Sequence, residues 1–127
     1  MKIKIKDVIN NGLSIIVNFS TEFGEGKAFW EGDVPIQNCE YYTEVDIHDN
    51  LVWGKNIIRT NENLYSFNLK NEIINISGIL ESTDVDGYSI LRVGDYIIPF
   101  MATGTPFIIN TFIILSIELI SLSPVFY

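Results

Sequence analysis

The chain has 127 residues, 47% of them hydrophobic, and a formal charge of −8. That apolar content excludes disorder, because enough surface can be buried to offset the ordering entropy, and the length suits a single domain spanning 1–127. Eight basic residues against sixteen acids leave no cationic footprint for a phosphate backbone, so nucleic acid is not expected as a partner.

Period-two alternation of apolar and polar residues runs through most of the chain, and a strand is what sends successive side chains to opposite faces. Lys2 to Ile9 reads as a first strand, with Lys2, Lys4 and Lys6 on one face as the charges that protect a sheet edge. Asn10-Asn11-Gly12 is a hairpin turn, because these residues tolerate positive φ. Leu13 to Ser20 is the second strand, with Leu13, Ile15, Val17 and Phe19 on one face. Glu22 to Gly32, with three glycines around Phe29-Trp30, reads as an irregular loop or bulged strand. Cys39 to His48 is the third strand: Cys39, Tyr41, Thr43, Val45 and Ile47 face inward, and Glu40, Tyr42, Glu44, Asp46 and His48 face outward.

Short apolar pieces follow at Leu51-Val52-Trp53 and Ile57-Ile58, and Leu64 to Leu69 alternates as a strand. Ile73 to Glu81 is a strand with Gly78 as a bulge or bend. A turn at Asp86-Gly87 leads to Tyr88–Val93, and Gly94-Asp95 leads to a third strand at Tyr96–Phe100, ended by Pro99. Phe112 to Leu122 is a strand with a change of parity near Leu119; a helical stripe is the rival reading, and β-branched enrichment favours the strand. No internal repeat is visible. About seven strands in this length point to an all-β fold, a small antiparallel barrel, with a β-sandwich as the alternative.

Ile76-Ser77-Gly78-Ile79-Leu80-Glu81 followed by Asp86-Gly87-Tyr88-Ser89-Ile90-Leu91-Arg92-Val93-Gly94-Asp95 resembles strands of OB-fold-like small barrels in uncharacterised bacterial families. The resemblance covers about a third of the chain and implies an OB-like barrel. That pattern places a helix before its fourth strand, and no segment here reads as one. Abundant Ile and Asn, with Ala only at 28 and 102, agree with a bacterial, AT-rich coding sequence.

Chemistry-bearing residues are few. Cys39 is the only cysteine, so no internal disulfide can form, and its place on the apolar face makes it a small buried hydrophobe. Cys39 and His48 sit at odd and even positions of one strand and so on opposite faces, which argues against a nucleophile pair. The acids and histidine of that strand's outer face are spaced ~6.7 Å apart two by two, too far for one strand to converge on a metal ion. Asp84-Val85-Asp86-Gly87 lacks the further ligands of a calcium loop and reads as a turn. No cofactor is implied and no catalytic constellation is visible. No leader and no membrane-spanning run appear, so a cytoplasmic address is expected.

Charge is unevenly spread. Residues 22–49 hold eight acids and only Lys27, which is −7 of the −8. The leading expectation is a non-catalytic binding protein that docks a basic protein partner, in its concrete form an immunity or inhibitor protein. Glu40, Glu44 and Asp46 would steer, and Trp30, Tyr42 and Trp53 would anchor. The alternative is a barrel holding a small ligand or oligonucleotide through Phe29, Trp30 and Tyr42. Homo-oligomerisation through an open strand edge is compatible with either.

Overall fold

The alternating segments become strands, and no helix forms among the described residues. The computed structural model describes residues 1–126. Its strands are β1 (Lys2–Asn10), β2 (Ile15–Thr21), β3 (Gly24–Trp30), β4 (Glu40–Ile47), β5 (Asn50–Val52), β6 (Ile57–Arg59), β7 (Ser66–Lys70), β8 (Ile73–Thr83), β9 (Tyr88–Val93), β10 (Tyr96–Thr103), β11 (Phe112–Ile117) and β12 (Ile120–Pro124). Twelve strands replace the seven or eight expected, because residues 24–30 form a strand, the short apolar pieces at 50–52 and 57–59 also pair, and Phe112–Leu122 divides into two strands.

The pairing closes a five-stranded barrel. β1, β2 and β3 form a meander, β4 joins β1, β12 joins β4, and β12 returns to β3 in parallel through Ser121↔Phe29 and Leu122↔Trp30. Its interior holds Ile3, Ile5, Val17, Phe19, Ala28, Val45 and Leu122, all buried. A second ring repeats the scheme. β8, β9 and β10 form a meander, β11 joins β8, β5 lies parallel to β10, and β6 joins β11. The Trp53↔Ile57 bridge links β5 to β6, so the two together make the pairings that β12 makes alone.

The two rings correspond in detail, which corrects the expectation of no internal repeat. Their connections match: 11–14 with 84–87, 22–23 with 94–95, 31–39 with 104–111, and 48–49 with 118–119. The first strand of each is bulged at the same place, between Ile5 and Asp7 in β1 and between Leu80 and Ser82 in β8. Beside each bulge an asparagine at positive φ, Asn38 (69°) or Asn110 (66°), donates its backbone N–H to Ile5 or Leu80. The next residue, Cys39 or Thr111, accepts from that same Ile5 or Leu80. Each unit of four strands (β1–β4 and β8–β11) then sends the following strand into the other ring. The fifth strands are exchanged.

The two crossings lie side by side and are tied together. His48 N–H donates to the Leu119 carbonyl at 3.0 Å, and the Asp49 carboxylate accepts from the backbone N–H groups of Glu118 and Leu119, each at 2.9 Å. One side chain thus satisfies two donors at the place where β11 must end and β12 begin. That is the physical cause of the parity change near Leu119.

Several local expectations are corrected. β1 is not an edge strand: it lies between β2 and β4, and its lysines stand on the outer face of the barrel. Residues 24–30 form a regular strand, since Gly26 packs under the Phe19 ring and Gly24 meets β7. Gly78 is not the bulge; a Cβ there would collide with the Arg92 carbonyl oxygen. Pro99 does not end β10. Ala102 N–H donates to Gly87, so Pro99, three residues earlier, turns its missing donor away from β9 to an edge where β5 does not reach.

Candidate docking face

The outward residues of β4 are as read: Glu40, Tyr42, Glu44 and Asp46 are exposed, while Thr43 and Val45 are buried. Their surroundings separate them. Glu40 pairs with Lys2 at 3.2 Å, and this contact holds the Lys2 ammonium above its usual range. Glu25 pairs with Lys6 and raises it likewise. Glu31 accepts from the Ser123 hydroxyl at 2.9 Å, and Asp49 is occupied at the crossing. Glu44 and Asp46 have no ion pair among the described residues. They are the part of the acidic stretch that lies on β4 without an ion pair.

These two acids border a groove of about 370 Å³. Its far wall is Ile97 and Pro99 of β10, and Met1 and Val125 close its ends. Ile97 is 62% exposed, a large apolar side chain beside carboxylates. Burial lowers the affinity of the Met1 ammonium for its proton, and the charge of Glu44 partly restores it. Sequence reasoning missed Ile97 and Pro99, since nothing local says that β10 will lie alongside β4.

The tryptophans do not join this face. Trp30 is 5% exposed; its indole N–H donates to the Asp33 carbonyl at 2.8 Å and its ring meets Tyr41 edge-on at 5.1 Å. Trp53 is 8% exposed and packs on Phe100 and Phe107 in the other ring. Each is a core residue of its own ring, so neither presents an anchor to a partner.

Cys39 is exposed rather than buried. It precedes β4, and its carbonyl and N–H are used by the turn at Asn38, which swings its side chain out of the alternation. His48 follows the far end of β4, roughly 30 Å from Cys39 at strand rise, and its Nε2 lies 2.8 Å from the Ser121 hydroxyl. The thiol therefore has no base beside it there. Asp84 Oδ1 accepts from the N–H groups of Asp86 and Tyr88, the internal bonds of a turn. Among the described residues no three of His, Cys, Asp and Glu gather as a metal-holding group, and no helix is long and apolar enough to cross a membrane.

A second cleft, of about 210 Å³, lies between the rings where β3 and β7 diverge. Phe29, Ile16, Leu69, Ile74 and Leu119 line it, and the Lys27–Glu72 pair at 2.8 Å spans its rim. No protein-family model, no curated protein and no solved structure matches this chain.

Proposed function

We propose that this chain is a non-catalytic binding protein that docks a basic protein partner on the outer face of β4. The carrying observation is the pair Glu44 and Asp46, exposed and in no lysine or arginine ion pair among the described residues, bordering a groove whose other wall offers exposed Ile97. Acids of one sign steer an oppositely charged partner, and an apolar side chain at the centre supplies desolvated contact. Tyr42, 50% exposed on the same face, adds an aromatic contact. In its concrete form this is an inhibitor or immunity protein of the bacterial cytoplasm that caps a basic toxin or nuclease. The pairing order of the closed barrel, three-strand meander, fourth strand on the first and fifth strand parallel to the third, supports an OB-like reading of each ring.

The test is capture from host lysate with the wild-type chain and with Glu44→Lys/Asp46→Lys, at low and high salt. A basic protein held by the wild type, released by salt and lost by the double variant, is the expected result. Equal capture by both forms would remove the acidic face from the account. A second reading, a small apolar ligand, is favoured only by the cleft at Phe29. Fluorescence of the two tryptophans against a ligand panel addresses it, with Phe29→Ala as the control.

A further inference from the structure

The turn between β1 and β2 holds a reactive arrangement that neither the fold nor the docking face uses. Asn11 is the one asparagine of the chain that precedes a glycine. Both residues are exposed, and a Cβ placed on Gly12 would meet no atom within 4 Å. The Asn11 side-chain oxygen Oδ1 accepts from the backbone N–H groups of Leu13 and Ser14, each at 2.9 Å. Its Nδ2 makes no hydrogen bond among the described residues. Gly12 N–H donates to Asn10 Oδ1 at 3.0 Å.

These bonds set a nucleophile, an electrophile and an oxyanion site within one turn. Joining the Gly12 nitrogen to Asn11 Cγ closes a five-membered ring, a geometry the chain supplies by itself. Glycine leaves that approach free of a side chain. The two N–H groups on Oδ1 stabilise the negative charge it gains on attack. The Asn10 contact acts in the opposite sense, because an acceptor on Gly12 N–H favours keeping the proton there.

The second ring supplies a product and a contrast. Asp84 stands where Asn11 stands, and its carboxylate accepts from the N–H groups of Asp86 and Tyr88. A carboxylate at residue 11 therefore suits this turn, and it holds its donors more strongly than an amide does. Asp86 also precedes a glycine, but that peptide is fixed. Gly87 N–H donates to the Asp84 carbonyl at 3.1 Å, and a Cβ on Gly87 would collide with the Ala102 carbonyl oxygen.

We propose that Asn11 is a self-modification site, converted to aspartate in the folded protein without an enzyme and restrained by Asn10. The Gly12 amide gives its proton to hydroxide, and its nitrogen bonds to Asn11 Cγ with the charge on Oδ1. The Cγ–Nδ2 bond then breaks, and the nitrogen leaves as ammonia with a proton from water. Water opens the cyclic imide. Cleavage at Cγ gives aspartate and leaves the main chain as it was; cleavage at the Asn11 backbone carbonyl gives isoaspartate and a lengthened main chain. Water is the one co-reactant, and nothing is oxidised or reduced. The aspartate keeps both acceptor bonds, as Asp84 does. The proposal is independent of the docking face on β4.

The full ¹⁵N-labelled chain, incubated at mildly alkaline pH with and without urea, tests it. The side-chain NH2 resonances of Asn11 should decay in the native chain while those of the other asparagines persist. The peptide containing residue 11 should gain the mass difference between amide and acid. The native rate should be faster than the rate in urea or within about tenfold of it, because the closing geometry is already present. Asn10→Ala should speed the native decay about threefold and leave the decay in urea unchanged, because only the folded turn restrains the Gly12 proton. A native rate lower than that range would overturn the proposal, since the turn would then protect Asn11. So would simultaneous decay at several asparagines, or an Asn10→Ala rate at or below that of the wild type.

Discussion

The fourth strands of the two rings occupy equivalent positions and present opposite surfaces. β4 shows Glu40, Tyr42, Glu44 and Asp46 to solvent. β11 carries Phe112, Ile114 and Ser116 at the corresponding places, and all three are half-buried. The cause lies outside the strands. The connection from β6 to β7 lays Tyr65 on Phe112, ring centroids 5.5 Å apart, and Asn75 accepts from the Ser116 hydroxyl at 2.9 Å. Among the described residues no such connection covers the outer face of β4, so that face remains open and polar. The open face of a repeated unit is therefore where the docking proposed above would fall, and charge alone would not have located it.

The comparison can be broken most severely at the slot of β7. Gly24→Ala places a methyl group against the Phe67 carbonyl at a φ of 138° and should cost about 3 kcal/mol by overpacking and backbone strain, read by denaturant unfolding. Tyr96 meets Val93 in the second ring as Gly24 meets Thr21 in the first, and Tyr96→Ala loses only a half-buried ring that meets Phe23 edge-on at 6.5 Å. A cost of about 1 kcal/mol is expected there. Equal costs would mean that the close approach of Phe67 is not what requires glycine at position 24.

Asp49→Ala comes next. It leaves the N–H groups of Glu118 and Leu119 without their acceptor and should cost about 2 kcal/mol. Faster hydrogen exchange at those two amides, ahead of global unfolding, would locate the loss at the crossing. Glu72→Gly should act in the other direction. Asn71 and Glu72 form the β7–β8 turn with φ of 52° and 65°, where glycine fits without strain. A gain of about 0.5 kcal/mol is expected, since the exposed pair with Lys27 contributes little. Smallest in stability is Glu44→Lys/Asp46→Lys, within about 0.5 kcal/mol of wild type. A binding loss without a change in melting temperature would separate docking from folding.

Much of this was legible locally. The parity of β4 is readable because Thr43 and Val45 alternate with acids, and the turn at Asn10–Gly12 because Asn10 Oδ1 accepts from Gly12 N–H. Glu44 and Asp46 were placed correctly on the outer face. Trp30 and Trp53, expected as anchors, are buried instead, and nothing in their local sequence says which neighbours close over them. Cys39 was misplaced because the positive φ of Asn38 ends the alternation one residue sooner. The repeat escaped notice because the two units share register rather than residues. Gly32 and Gly104 correspond at φ of 114° and 104°, as do Asn38 and Asn110, while β3 and β10 otherwise have little in common.

By itself the sequence determined the class of the fold, the hairpin turns and the faces of the longer strands, because side-chain alternation and turn chemistry act between near neighbours. Only the tertiary structure decided which strands close each ring, that the fifth strands are exchanged, and which acids remain unpaired. Those outcomes depend on contacts between residues far apart in the chain, such as Asp49 with Leu119 and Lys2 with Glu40, and no local pattern specifies them.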